Sequence, residues 1–161
     1  MISLPPQSAV ISSDNQYRYF LSRSWIGGEG TVAFIGLNPS TADANIDDPT
    51  IRRCIAFAKT WGYSSLWMIN LFAYRSTKPE ILKTTSDPIG PDNDKWLNDA
   101  VSKANVVVAA WGNHGQLHGR ADQFIKKNDK PISALKITNS GAPGHPLYIS
   151  SSTKLIPFSK Q

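Results

Sequence analysis

Short, continuous apolar runs separated by segments of helical periodicity constrain this chain more than any other feature. Val32–Leu37 (V-A-F-I-G-L), Leu66–Leu71 (L-W-M-I-N-L), Val106–Ala110 (V-V-V-A-A) and the shorter Ile132–Leu135 each read as a strand covered on both faces. Between the first two runs, Ile51, Cys54, Ile55 and Ala58 fall at i, i+3, i+4 and i+7, one stripe of a helix. Asp48-Pro49 supplies an N-cap and an N1 proline for it, and Gly62 suits its end. Asp92–Lys103 places Trp96, Leu97, Ala100 and Val101 on a second helical face, and a third helix is expected from about Gln116 to Lys127. The order β-α-β-α-β-α-β predicts an α/β fold of three layers, α/β/α, around a central, mainly parallel four-stranded sheet. Residues 1–28, with Tyr17-Arg18-Tyr19-Phe20 and Trp25, are expected to add an N-terminal hairpin or edge strand to a single domain spanning 1–161.

Composition narrows the class. With 161 residues, 40% hydrophobic and 18% charged, the chain is too short for two full domains and too apolar for disorder. A single cysteine, Cys54, excludes an internal disulfide framework and a multi-cysteine zinc site. No apolar run reaches the length of a membrane span. Met1-Ile2-Ser3-Leu4-Pro5-Pro6 lacks the basic head and apolar stretch of a signal peptide, so the reducing cytoplasm is the expected compartment. The net charge of +5 is unevenly placed: residues 1–119 carry ten Lys/Arg and ten Asp/Glu, whereas residues 120–161 carry seven against two. A basic surplus suits a polyanionic partner.

In a parallel sheet, ligands bind at the carboxyl ends of the strands. The segments to inspect are therefore Asn38-Pro39-Ser40-Thr41, Asn70 to Ser76, Trp111-Gly112-Asn113-His114 and Gly141 to Ser150. They are more polar and aromatic than the strands that feed them.

Gly36-Leu37-Asn38-Pro39 resembles the first signature of the uracil-DNA glycosylase superfamily, in the G-x-N-P form of mismatch-specific members. Ile69-Asn70-Leu71 is similar to that family's strand-borne asparagine, and Ala110-Trp111-Gly112 to its L-W-G segment. Gly144-His145-Pro146-Leu147-Tyr148-Ile149-Ser150 resembles its second signature, H-P-S-P-x-S. All four stand in the family's order. More narrowly, L-N-P-S-T-A-D, D-D-P-T-I-R-R-C, N-L-F-A-Y-R and H-P-L-Y make the whole chain similar to a bacterial and phage family of unknown function, number 1643.

The resemblance implies a DNA glycosylase that flips a base out of the stack and hydrolyses its N-glycosidic bond without cofactor or metal. It is implied to be monofunctional, since no lysine or N-terminal proline stands as an attacking amine. Asn38 would hold the water; an amide orients water but is no strong general base, which points to a base already activated by modification or mispairing. The alternative for Asn38 is a turn asparagine before proline. His145 would donate to the base as negative charge grows there, if its tautomer is fixed; otherwise it is a loop histidine. Leu147 and Tyr148 would form the apolar wedge. They replace the family's Ser-Pro, so the first serine's phosphate clamp is lost, and Ser150 is the candidate to compensate.

Other residues carry two readings. Asn70 offers a donor and an acceptor that can read a base edge, or a structural hydrogen bond across the sheet. Phe72 and Tyr74 can stack on a base or fill core. Ser40, Thr41, Arg75, Ser76 and Lys154 are phosphate-contact candidates. Asp43, Asp47 and Asp48 could supply a general base, with Asp48 preferred, or a metal site suited to a nuclease; Asp48 also suits a helix cap. His114 and His118 are spaced as two ligands on a helix, yet no third ligand is evident and exposure is the simpler reading. Lys126, Lys127, Lys130, Lys136 and Lys154 are expected to line the approach to phosphates.

Modified or mispaired bases, bulky phage-DNA bases among them, are the implied target, in repair or anti-phage defence, with a monomer acting on DNA and no membrane partner. Two further readings remain: a non-catalytic nucleic-acid or nucleotide-binding module, and a metal-dependent nuclease.

Overall fold

A computed structural model describes residues 6–158. Residues 1–5 and 159–161 lie outside the described residues, and with them all but Pro6 of the segment Met1–Pro6 that the sequence reads as lacking signal-peptide character. The strands are β1 (Gln7–Ile11), β2 (Arg18–Ser24), β3 (Thr31–Gly36), β4 (Ser65–Asn70), β5 (Val106–Ala109), β6 (Ser133–Ala134) and β7 (Ile156–Pro157). They form one sheet in the order β1-β2-β4-β3-β5-β6-β7. The class is α/β, as expected, but the four-stranded, mainly parallel sheet needs correction to a seven-stranded mixed one. β3 pairs in parallel with β4 and β5, and β5 with β6. The N-terminal hairpin docks β2 antiparallel on β4, and β7 returns antiparallel on β6. The hairpin expected within residues 1–28 is present as β1 and β2, whereas β7, two exposed residues at the edge, leaves no apolar run in the sequence.

Alternation along β3 sorts the core into two sides. Val32 and Phe34 pack with Leu66 and Met68 against helix α1 (Pro49–Thr60), which turns Ile51, Cys54, Phe57 and Ala58 inward. Ala33 and Ile35 face the other way, where Leu97 and Val101 of α3 (Asn93–Lys103) and Phe124 of α4 (Arg120–Lys127) cover them. A single helical turn, α2 (Ile81–Thr84), precedes α3.

The start of α1 follows from its first residues. Asp48 accepts from the Ile51 N–H at 2.9 Å, and Pro49 occupies N1, where no amide is missed. The third helix begins later than its sequence pattern suggests. Gly112–Gly119 forms 3-10 turns in which Leu117 and His118 leave helical geometry, and α4 starts at Arg120. Three glycines in Trp111-Gly112-Asn113-His114-Gly115-Gln116-Leu117-His118-Gly119 weaken a regular helix there. Gly115 also has a packing reason: a Cβ would stand 2.1 Å from the indole of Trp111, which is buried over it.

The chain leaves β3 for β4 on one side and later adds β5 on the other. The sheet therefore reverses direction at β3, and a crevice opens beyond the carboxyl ends of β3, β4 and β5.

Candidate functional site

A cavity of about 430 Å³ occupies that crevice. Gly36 to Ser40 after β3, Met68 and Asn70 of β4, and Ala110 to His114 after β5 contribute to its walls. Thr50 and Ile51 of the first turn of α1, Ser76 and Thr77, and the His145–Leu147 loop complete it. The size is that of a small-molecule site.

Asn70 is the most informative residue in the cavity. It is 2% exposed, and both Nδ2 and Oδ1 are buried with no hydrogen-bond partner. A structural amide bonded across the sheet, the alternative reading of Asn70, is not what stands here. Its neighbour on β3 is Gly36, where a Cβ would fall 2.7 Å from Asn70 Oδ1 and 2.8 Å from Met68 Cε. Only glycine leaves room for that amide. The carbonyl of Asn70 accepts from Asn93 Nδ2 at 3.0 Å, so the start of α3 anchors the end of β4.

Asn38 is half-buried beside it, with its amide oriented by the loop. Nδ2 donates to the carbonyls of Ser76 (3.0 Å), Pro39 (3.2 Å) and Tyr74 (3.4 Å), which leaves Oδ1 as an acceptor with no partner among the described residues. Across the cavity, Nδ1 of His145 accepts the Leu147 N–H at 3.2 Å. A nitrogen that accepts carries no proton, so the neutral ring is the Nε2–H tautomer. His145 is exposed at the mouth, but its inner side is desolvated, which lowers its pKa; the charge of Asp48 opposes the shift. The ring is neutral at pH 7.

Asp48 lines the cavity with both oxygens in use: Oδ1 accepts from Ile51 N and Oδ2 from Ala42 N at 3.3 Å. Its helix-capping role is observed. The other two aspartates of the cluster stand away from the cavity. Asp47 pairs with Arg23 at 2.8 Å, and Asp43 closes a turn by accepting from Asn45 N and Ile46 N, which lowers its pKa. Among the described residues no three His, Cys, Asp or Glu side chains converge as metal ligands. His114 lines the cavity and His118 packs its ring against Phe72; both are exposed.

Several expected contacts lie elsewhere. Phe72 is fully buried in the core on the α3 side, beside Leu71, because β4 ends at Asn70 and strand alternation, which would have put residues 70 and 72 on one face, breaks there. Tyr74 packs edge-on against Tyr17 and lies outside the cavity lining. Ser40, Ser76 and Leu147 line the cavity, whereas Thr41 is exposed beyond it. Arg75 ties two loops together, donating to Asn15 Oδ1 at 2.8 Å and to the Ser40 carbonyl. Tyr148 stands fully exposed at a loop tip with φ +69°. Ser150 bonds locally to Ser152, and Lys154 is exposed. Trp111 and Asn113 line the cavity from a strand-end segment that the sequence marks, whereas Arg18 and Thr50 line it without having been expected there. Arg18 gave the one usable signal, a charge inside an aromatic strand segment.

The model of the family described as Protein of unknown function (DUF1643) matches residues 18–147. The chain belongs to that family. Every cavity residue named above falls within the matched span. No curated protein and no solved structure matches the chain. No helix among the described residues is long and apolar enough to cross a membrane.

The basic surplus of this DUF1643 chain is partly structural. Arg120 is buried, paired with Asp94 at 2.6 Å and bonded to the Leu71 carbonyl. Lys130 is not on a phosphate path: its ammonium donates to the carbonyls of Val101 and Ala104, closing the C-terminus of α3. Lys126, Lys127, Lys136 and Lys154 are exposed. The backbone of Lys136 accepts from Gly144 N at 2.7 Å, beside His145.

Proposed function

We propose that the chain is a monofunctional DNA glycosylase of the uracil-DNA glycosylase type, acting on a flipped base and leaving an abasic site. Its substrate class is a modified base, phage-DNA bases among them, and its role is repair or anti-phage defence. The observation that carries this reading is Asn70. Its buried amide has an unused donor and an unused acceptor in a cavity at the strand ends, and a base edge presents the complement of both.

The remaining residues take consistent parts. Asn38 Oδ1 accepts from a water and aims it at C1′, while its Nδ2 is held by the loop. His145 Nε2–H donates to the base as charge develops on it. Asp48, with both oxygens engaged by backbone N–H donors, contributes negative charge opposite a cationic sugar rather than proton abstraction. Leu147 at the cavity edge and the exposed Tyr148 suit a wedge into the duplex, with Ser40, Ser76 and the exposed lysines near the phosphates.

One observation favours a second reading, a non-catalytic nucleic-acid or nucleotide-binding module: the one carboxylate lining the cavity among the described residues has both oxygens engaged. A single assay separates the two. DNA carrying varied modified bases is incubated with the protein without metal and then treated with alkali. Alkali-labile sites that disappear in Asn38→Ala support the glycosylase. Tight binding without product on any DNA supports the binding module.

A further inference from the structure

The cavity holds a cation to which none of the roles above gives a part. Arg18, the first residue of β2, lines it at 2% exposure. Nη1 donates to the Ala42 carbonyl at 3.0 Å, Nε is buried without a partner, and Nη2 has none among the described residues. Among the described residues no carboxylate lies within ion-pair distance; Asp48 acts on it only at longer range. Burial lowers its pKa to about 10, which keeps it cationic at neutral pH. The first turn of α1, with the positive end of its dipole, borders the same space at Thr50 and Ile51. A buried cation with open donors is costly to the empty protein. A residue kept at such a cost in a cavity is explained by what enters the cavity.

We propose that Arg18 is the anion-holding residue of the cavity, binding a negatively charged oxygen-bearing group of the occupant. On the glycosylase reading, on which this second step rests, it also stabilises the departing base. The C1′–N bond breaks with its electron pair on the base, the water oxygen bonds to C1′, and the proton released by water ends on the base. Until that proton arrives, the base is an anion, and a desolvated guanidinium favours it over the neutral ground state. His145 Nε2–H approaches from the cavity mouth; Arg18 acts from the sheet side.

The wild-type protein is titrated by calorimetry with orotate, a pyrimidine bearing a carboxylate, with neutral uracil, and with inorganic phosphate. Orotate is expected to bind about tenfold or more tightly than uracil, the scale of one charge-assisted hydrogen bond. In Arg18→Met that ratio is expected to fall to about one, while the variant melts at or above the wild-type temperature. Arg18→Lys, which keeps the charge, is expected to retain part of the preference. Phosphate binding that also depends on Arg18 assigns the anion to a nucleotide phosphate; orotate binding alone assigns it to an acidic ring substituent.

Equal orotate and uracil affinities in the wild type, with no phosphate binding, overturn the proposal. So does a destabilised Arg18→Met or Arg18→Lys that keeps the anion preference, which would make Arg18 structural. Absence of base release from every DNA, with the anion preference intact, removes the glycosylase reading but not this one. Undiminished base release by Arg18→Met removes the leaving-group role alone.

Discussion

The backbone N–H of Leu147 donates to Nδ1 of His145 at 3.2 Å, so the loop that carries the histidine also sets its tautomer. Leu147, which follows the Gly-His-Pro turn, thereby matters through its backbone as well as its side chain. Protonation leaves Nε2–H in place but puts a proton on Nδ1, which then no longer accepts the Leu147 N–H that orients the ring, and partial desolvation lowers the pKa below the ordinary 6.5.

Base release should therefore hold from neutral pH down to a midpoint below 6.5 and fall as the pH drops through it. The sign for stability is the same. Between the lowered folded value and 6.5 the unfolded chain binds more protons, so stability rises with pH across that window. A pH–rate profile of wild type and His145→Asn checks this: the acidic limb assigned to the imidazole should be missing in the variant. A His145 midpoint above 6.5 by NMR titration would contradict it.

Asn70→Leu should stabilise the protein by about 1–2 kcal/mol in denaturant unfolding, because it removes a buried, unpartnered amide. The same variant should lose base release by about 100-fold or more. A destabilised variant that keeps activity would return Asn70 to a structural role.

Gly36→Ala tests the same geometry from the opposite strand. Its Cβ would displace the amide of Asn70 or the thioether of Met68, at a cost of about 1–3 kcal/mol. The loss of activity should exceed what that destabilisation explains when both are measured below the unfolding transition.

Asp48→Ala removes the cap of α1, and unfolding should become easier by about 1–2 kcal/mol. Asp48→Asn keeps an oxygen for the Ile51 N–H and should recover much of that stability, yet release base about tenfold more slowly through the lost charge. Full activity in a folded Asp48→Asn would leave the aspartate only its cap.

Lys130→Met should destabilise the chain, because the ammonium closes the end of α3, and should leave the salt dependence of DNA binding unchanged. Replacing Lys136 and Lys154 with Gln should instead weaken binding and lower the slope of log affinity against log salt by about 1–2 in fluorescence anisotropy.

Local chemistry explains which elements could be read in advance. The apolar runs at β3, β4 and β5 are covered on both faces, and Asp48-Pro49 carries its own capping logic, so neighbours in sequence suffice to find them. The antiparallel docking of β2 on β4 depends on residues more than forty positions apart, such as Leu21 and Met68, and leaves no local trace. Asn70 ends β4 and Asn38 follows β3, while His145 stands in a loop well after β6 and was marked by the resemblance of its motif; the three line one cavity. Phe72 was misplaced because the strand's alternation stops at Asn70, where β4 ends, and both Leu71 and Phe72 turn into the core on the α3 side. Arg18 escaped notice because its meaning lies in partners it lacks, which only the folded molecule reveals.

Mass spectrometry of small molecules released from phage DNAs of differing base chemistry tests the central claim most directly. The account predicts one free modified base, matched by abasic sites in the same DNA, with both lost in Asn70→Leu. DNA bound but never depleted of a base, or strand breaks without a released base, would contradict it.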